Sequence, residues 1–280
     1  MQFTVVKDTE SLHGALVELA RAGKTTALVP TMGALHDGHM SLILRAKEEA
    51  DEVIVYIFVN PKQFGPNEDF GRYPRVLESD LKKADKAGAA LVYAPSVEDV
   101  YPAGFSTTIS VGELGRILEG KFRPGFFDGV ATVLAKMFMR ILPHAVVFGE
   151  KDYQQLCVVR RMVSDLDLPM EVVGVPTIRE PDGLAMSSRN AYLSPAERKT
   201  APMIYEVLHN VGDAIVAGAS VKAARDQGVA ALTKAGFKVD YLELRDAETL
   251  AEMDKFVSPA RLLVAAWLGT TRLIDNIAVE

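Results

Sequence analysis

Short, almost wholly apolar runs separated by helical patterns constrain this chain more than any other feature. Residues 3–6, 27–29, 53–59, 91–93, 145–148 and 172–175 read as strands with no polar alternation. Helical patterns fill the gaps. Asp8 can cap a stretch with Leu12, Leu16 and Leu19 on one face and Gly23 at its end. Further patterns cover 39–50, then Leu77, Leu81 and Ala84 up to Gly88, then 130–142 and 153–164. A strand that is apolar on both sides must be covered on both sides, and parallel strands need helical crossovers. The pattern therefore predicts a doubly wound parallel α/β domain with ligands at the carboxyl ends of its strands.

After about residue 190 the pattern changes. Ser194-Pro195-Ala196-Glu197 combines an N-cap serine, a first-turn proline and a glutamate placed to close a capping box. The expected helix runs from there to about 217, and a second covers 220–235. Strands at 239–244, 262–266 and 272–278 follow, with a short helical piece at 247–253 among them. Segregated helices and strands predict a smaller α+β domain. The expected division is 1–184 and 185–280, with no internal repeat or low-complexity linker.

Composition narrows the function classes. At 280 residues, 49% apolar and 24% charged, the chain has material for two cores and is not a disordered composition. A formal charge of −6 argues against nucleic acid or an anionic membrane as the main partner. No apolar stretch approaches the roughly 18 residues of a spanning helix. The start, Met1-Gln2-Phe3-Thr4-Val5-Val6, lacks the pattern of a signal peptide, and none is expected. Cys157 is the single cysteine, so an intrachain disulfide and a thiolate-rich metal site are excluded; it is expected to be a small buried side chain, and Trp267 a core residue.

The chemistry starts with two of the five histidines. Val29-Pro30-Thr31-Met32-Gly33-Ala34-Leu35-His36-Asp37-Gly38-His39 follows an apolar strand and opens a helix. Gly33 and Gly38 permit close backbone approach, and a helix start directs amide donors at an anion. His36 and His39, three apart, can face one phosphate chain, where imidazolium would stabilise charge developing at an attacked phosphorus. A solvated turn or a metal pair would also produce two such histidines, although zinc usually wants a third protein ligand and none is evident.

His36-Asp37-Gly38-His39 resembles the His-x-Gly-His signature of class I nucleotidyltransferases, which pair it with a distant basic loop. Asp182-Gly183-Leu184-Ala185-Met186-Ser187-Ser188-Arg189-Asn190 is similar to that loop. With Val59-Asn60-Pro61-Lys62-Gln63-Phe64 and Phe148-Gly149-Glu150-Lys151-Asp152-Tyr153-Gln154-Gln155, the chain resembles the pantothenate synthetase (pantoate–β-alanine ligase) family along nearly its whole length. The resemblance implies a Rossmann-like domain with a small C-terminal lid domain, a cytoplasmic homodimer, and condensation of pantoate with β-alanine. The carboxylate would be activated by ATP and Mg²⁺ as pantoyl adenylate, and pyrophosphate and AMP would leave.

It also implies residue roles. ATP would be bound by Met32, Gly33, Ala34, Leu35, His36, Asp37, Gly38, His39, Gly149, Glu150, Lys151, Asp152, Ile178, Met186, Ser187, Ser188 and Arg189. Of these, His36, His39, Lys151, Ser187, Ser188 and Arg189 would act in catalysis, and Ile178 would read adenine through its backbone. Gln63 and Gln155 would bind pantoate and β-alanine, with Tyr73 and Arg123 as second-tier candidates. Ser79 interrupts the acidic stretch at 78–80, so no protein ligand is assigned to Mg²⁺, which is expected mainly on ATP oxygens. No covalent nucleophile is expected, because adenylation itself makes the leaving group. His13, His144 and His209 have no partner pattern and are expected to be structural or solvated. Two other classes remain open: a nucleotidyltransferase acting on a phosphate acceptor, which would want a second basic cluster, and a nucleotide-binding regulator without catalysis.

Overall fold

The computed structural model describes residues 3–66 and 68–280; Met1 and Gln2, the first of the residues read for a signal peptide, lie outside them. The chain divides into two compact units. The first holds the described residues up to Glu150 together with Val158–Pro176, and the second Lys151–Cys157 and Thr177–Glu280.

In the first unit the elements are β1 (Thr4–Val6), α1 (Thr9–Arg21), β2 (Thr26–Thr31), α2 (Asp37–Glu49), β3 (Glu52–Ile57), α3 (Leu77–Ala87) and β4 (Leu91–Tyr93). There follow α4 (Val97–Val100), α5 (Glu119–Phe122), α6 (Phe126–Ile141), β5 (Ala145–Gly149), the start of α7 (Tyr153–Asp165) in the other unit, and β6 (Glu171–Val175). The six strands form one parallel sheet in the order β1-β4-β3-β2-β5-β6. The expected doubly wound, Rossmann-like domain is present. Unbroken apolarity has its predicted cause: Val53, Val55 and Ile57 of β3 pack into one core with α2 and α3, while Ile54 and Tyr56 are buried on the opposite face. Burial of a side chain such as Ile54 contributes about 2–3 kcal/mol. Local signals set the ends: the Asp8 carboxylate accepts from the Ser11 amide at 2.7 Å, and Gly88 closes α3 at φ +91°.

Order matters for function. From β2 the chain moves outward to β3 and β4, then returns to β5 on the other side of β2. The carboxyl ends of β2 and β5 therefore flank the reversal of strand order, where such sheets bind ligands.

The second unit has α8 (Pro195–Thr200), α9 (Met203–Val216) and α10 (Val221–Lys234) against an antiparallel sheet of β7 (Phe237–Asp246), β8 (Ala260–Leu268) and β9 (Thr271–Val279). The capping box forms as expected, with the Glu197 amide donating to Ser194 Oγ at 3.3 Å and the Ser194 amide to Glu197 Oε2 at 2.8 Å. The expected continuous helix does not. Pro202 brings no amide hydrogen and crowds the preceding turn, so the chain stops at Thr200 and restarts at Met203. Residues 247–253 are a turn rather than a helix. The Asp246 carboxylate takes the amides of Glu248 and Thr249 and the Thr249 hydroxyl, and Leu250 is left-handed at φ +57°.

Trp267 is not a core residue: it is 36% exposed. Leu262, Val264, Ala266 and Leu268 point into the core, so strand alternation turns Trp267 to the other face, between Lys238 and Arg272. Residues 177–184 fall in the second unit, on the near side of the expected boundary, because Leu184 is buried in that unit's core. Cys157 is a buried thiol outside any disulfide, as expected.

Candidate active site

The β2–α2 turn is built by close hydrogen bonding. Thr31 Oγ1 accepts from the Gly33 amide at 3.2 Å and donates to the Tyr56 carbonyl at 3.1 Å. Gly33 and Ala34 are both left-handed, at φ +80° and +52°. The amides of Ala34 and Leu35 donate to the Asp80 carboxylate at 2.8 Å each, and Lys83 Nζ donates to the Leu35 carbonyl at 2.6 Å. Leu35 is buried. Of the expected ATP-binding stretch, Ala34 and Leu35 thus spend their amides inside the fold.

α2 begins at Asp37, with His36 as its N-cap. His36 Nδ1 accepts from the Gly38 amide and His39 Nδ1 from the His36 amide, both at 3.2 Å, a capping box made of two imidazoles. The rings lie with centroids 4.1 Å apart. A nitrogen that accepts an N–H carries no proton, so each ring holds its proton on Nε2, on the edge away from the cap.

The second strand-end feature of this unit is the turn after β3. Asn60 caps a 3-10 turn over Pro61–Gln63, accepting from the Lys62 amide. Its Nδ2 donates to Gln63 Oε1 at 2.8 Å and to the Gly129 carbonyl at 3.1 Å. The Tyr101 hydroxyl, whose pKa burial pushes up, donates to Asn60 Oδ1 at 2.8 Å. This chain fixes the Gln63 amide with its oxygen toward Asn60, leaving the Nε2 hydrogens to face another partner. Arg123 holds the same turn: it pairs in two-pronged fashion with Glu68 at 2.7 Å, donates to the Gln63 carbonyl at 3.0 Å and stacks on Phe126. Tyr73 is a buried ring set edge-on to Phe64. Gly149 ends β5, followed by a 3-10 turn over Glu150–Asp152.

The second unit carries the other candidates. Lys151 Nζ lies 3.8 Å from the half-exposed Asp152 carboxylate, and its carbonyl accepts from Asn276 Nδ2 at 2.9 Å. Gln155 is half-buried, on the first turn of α7. Ile178 and Met186 are brought together, the Met186 amide donating to the Ile178 carbonyl at 3.0 Å, beside an antiparallel bridge between Arg179 and Ala185. Ser187 then caps a 3-10 turn over Ser188–Tyr192 by accepting from the Arg189 amide. The base of this hairpin is pinned by Arg179, which meets the buried Asp275 through two bonds of 2.6 and 2.9 Å and stacks on Tyr205.

Sequence reasoning missed Asp80, Asn60, Gly129, Arg179 and Asp275. Asn60 stood inside a quoted motif; the others act across long sequence separations that leave no local signal. His144 accepts from the Thr26 amide through Nδ1, and His209 packs on Tyr205, both structural. Among the described residues, no three His, Cys, Asp or Glu side chains gather as a metal cage, and no helix is long and apolar enough to cross a membrane.

A family model for pantoate-beta-alanine ligase matches residues 4–278. The chain belongs to the pantoate-beta-alanine ligase family. The pantothenate synthetase of Rhodopseudomonas palustris strain HaA2 is 52% identical to this ligase over 277 residues, 98% of each chain. The crystal structure of pantothenate synthetase from Thermus thermophilus matches with a TM-score of 0.94 at 48% identity, over 99% of each chain. The pantoate-beta-alanine ligase of Francisella tularensis, complexed with beta-gamma ATP and beta-alanine, matches with a TM-score of 0.83 at 34% identity, over 99% of this chain and 97% of that one. The protein is thus an enzyme, a pantoate-beta-alanine ligase with pantothenate synthetase activity.

Proposed function

We propose that this ligase works in two half-reactions, with the expected residues at the site, except that Ala34 and Leu35 give their amides to Asp80 and the two histidines act uncharged. A pantoate carboxylate oxygen attacks the α-phosphorus of ATP, pyrophosphate departs, and the β-alanine amine then attacks the acyl carbon of pantoyl adenylate, releasing AMP. A free carboxylate resists amines; as a mixed anhydride with AMP it has a good leaving group.

The observation that carries the first half-reaction is the imidazole capping box at the switch point of the sheet. With Nδ1 occupied, His36 and His39 act through Nε2–H as neutral donors to phosphate oxygens, beside the positive end of α2. This replaces the expected imidazolium with a neutral imidazole, since a proton on Nδ1 would break the cap. Lys151, Ser187, Ser188 and Arg189 supply cationic and hydroxyl donors to the triphosphate. Glycines 33, 38 and 149, with Met32, Asp37, Glu150, Asp152, Ile178 and Met186, shape the nucleotide's surroundings. Gln63, its oxygen held by Asn60, donates to the pantoate and later β-alanine oxygens, and Gln155 is its counterpart.

Mg²⁺ fits as an ion that arrives on the triphosphate, because its preference for phosphate and water needs no protein cage; there it would neutralise phosphate charge. A homodimer and a cytoplasmic location complete the reading, the first testable by sedimentation. The deciding assay incubates the protein with ATP, Mg²⁺, pantoate and β-alanine, omits each in turn, and follows pyrophosphate and AMP. AMP formation that needs both organic substrates is expected. Pyrophosphate release without pantoate would refute the reading.

A further inference from the structure

We propose that Asp80 is a positioning residue for adenylation, acting through the β2–α2 turn upon His36 and His39; this rests on their proposed phosphate role. Asp80 lies in the first turn of α3, 1% exposed. Its two oxygens take the consecutive amides of Ala34 and Leu35, each at 2.8 Å. Consecutive amides around left-handed residues form a concave nest that binds anions. Here the anion is internal, so the nest is filled before any phosphate arrives.

Three further observations tie the carboxylate to the shape of the turn. Ala34 occupies the left-handed region without being glycine, a conformation that persists only where neighbours over-determine it. At Gly33 a Cβ would stand 3.0 Å from Asp80 Oδ2 and 3.2 Å from Ile57 Cγ2, so the carboxylate closes on the turn because that residue lacks one. Lys83, one turn along α3, holds the Leu35 carbonyl. The peptide that follows leads directly into His36, whose amide and ring both belong to the α2 cap. A buried carboxylate is costly unless its oxygens are bonded, so Asp80 and the turn hold each other in one geometry.

The test uses Asp80→Asn, which keeps one acceptor oxygen and sets an NH₂ against the other backbone amide. Lys83→Ala and His39→Ala accompany it. Pantoate-dependent pyrophosphate release gives kcat and the KM for ATP, aminolysis of supplied pantoyl adenylate gives the KM for β-alanine, and thermal melting reports the fold. Asp80→Asn is expected to raise the ATP KM and lower the adenylation rate, together at least tenfold in kcat/KM. The β-alanine KM should stay within twofold. A lowered melting temperature with ATP kinetics within twofold of the parent would overturn the proposal and leave Asp80 merely structural. If Asp80→Asn does not fold, Lys83→Ala decides: a threefold or larger rise in ATP KM supports the proposal, and an unchanged value overturns it. Unchanged pyrophosphate release in His39→Ala would instead overturn the histidine reading itself.

Discussion

Gly129→Ala tests whether the Gln63 turn must sit where it does. Gly129 lies in α6, where a Cβ would stand 2.1 Å from the Lys62 carbonyl oxygen, 2.6 Å from its carbon and 3.2 Å from the Gln63 amide nitrogen. Ordinary carbon–oxygen contact needs a little over 3 Å, so something must yield by about 1 Å. The helix will not: 11 of its 16 residues are buried, Phe127, Met137 and Phe138 among them. The turn over Pro61–Gln63 must move, straining the Asn60 bonds to Gly129 and Gln63. In an unhindered helix, alanine for glycine would stabilise by roughly 0.5–1 kcal/mol; overpacking costs about 1–3 kcal/mol, so the net change is destabilising. The larger effect is on rate, because about 1 Å of misplacement of a positioning group can cost on the order of 100-fold. Steady-state kinetics with pantoate varied at saturating ATP should show kcat/KM for pantoate falling by roughly that factor, with ATP binding by titration calorimetry retained. A folded variant with unchanged pantoate kinetics would refute the packing argument and the role of Gln63 together.

His39→Ala should slow pantoyl adenylate formation by hundreds-fold or more, about 3 kcal/mol or above, measured by single-turnover pyrophosphate release. Asp275→Asn leaves the Arg179 guanidinium with no carboxylate in a mostly buried setting, and should cost about 3 kcal/mol in chemical denaturation. The Arg198 hydrogen bond holds the Asp182 carboxyl below its ordinary value, so its stabilisation is full above about pH 4 and is lost as pH falls through the depressed value. Both side chains are partly exposed, which limits the effect to less than about 1 kcal/mol; melting curves of the parent and Asp182→Asn should differ at neutral pH and converge in acid.

The sheet was legible because parallel strands covered on both faces must be apolar throughout, and 53–59 announces that in the sequence. The Ser194 capping box was legible because its partners lie three residues apart. Pro202 was equally visible, yet the amphipathic pattern runs straight through it, and only the missing amide decides the break. Trp267 misled because six apolar neighbours hide the alternation of an antiparallel strand. The histidine turn and the Ser187 loop stood out as motifs. What holds them did not: Asp80 reaches back 46 residues to Ala34 and Asp275 96 residues to Arg179. No local window contains both members of such a pair, and a lone Asp or Arg reads as a solvated charge.

The imidazole cap bears on how this ligase tolerates mutation. Many enzymes keep residues at the reacting centre that the fold would be steadier without, so replacing them raises melting temperature while activity falls. At the start of α2 the proposed roles would make the opposite hold, because the nitrogens that close the helix belong to the rings to which we assign the chemistry. Any replacement of His36 or His39 by a side chain that cannot accept there forfeits a cap of about 1 kcal/mol and, on the proposed mechanism, turnover with it. On that mechanism selection for folding and selection for catalysis press on these two positions in the same direction, and screens for thermostable variants should recover both histidines unchanged even when activity is not scored.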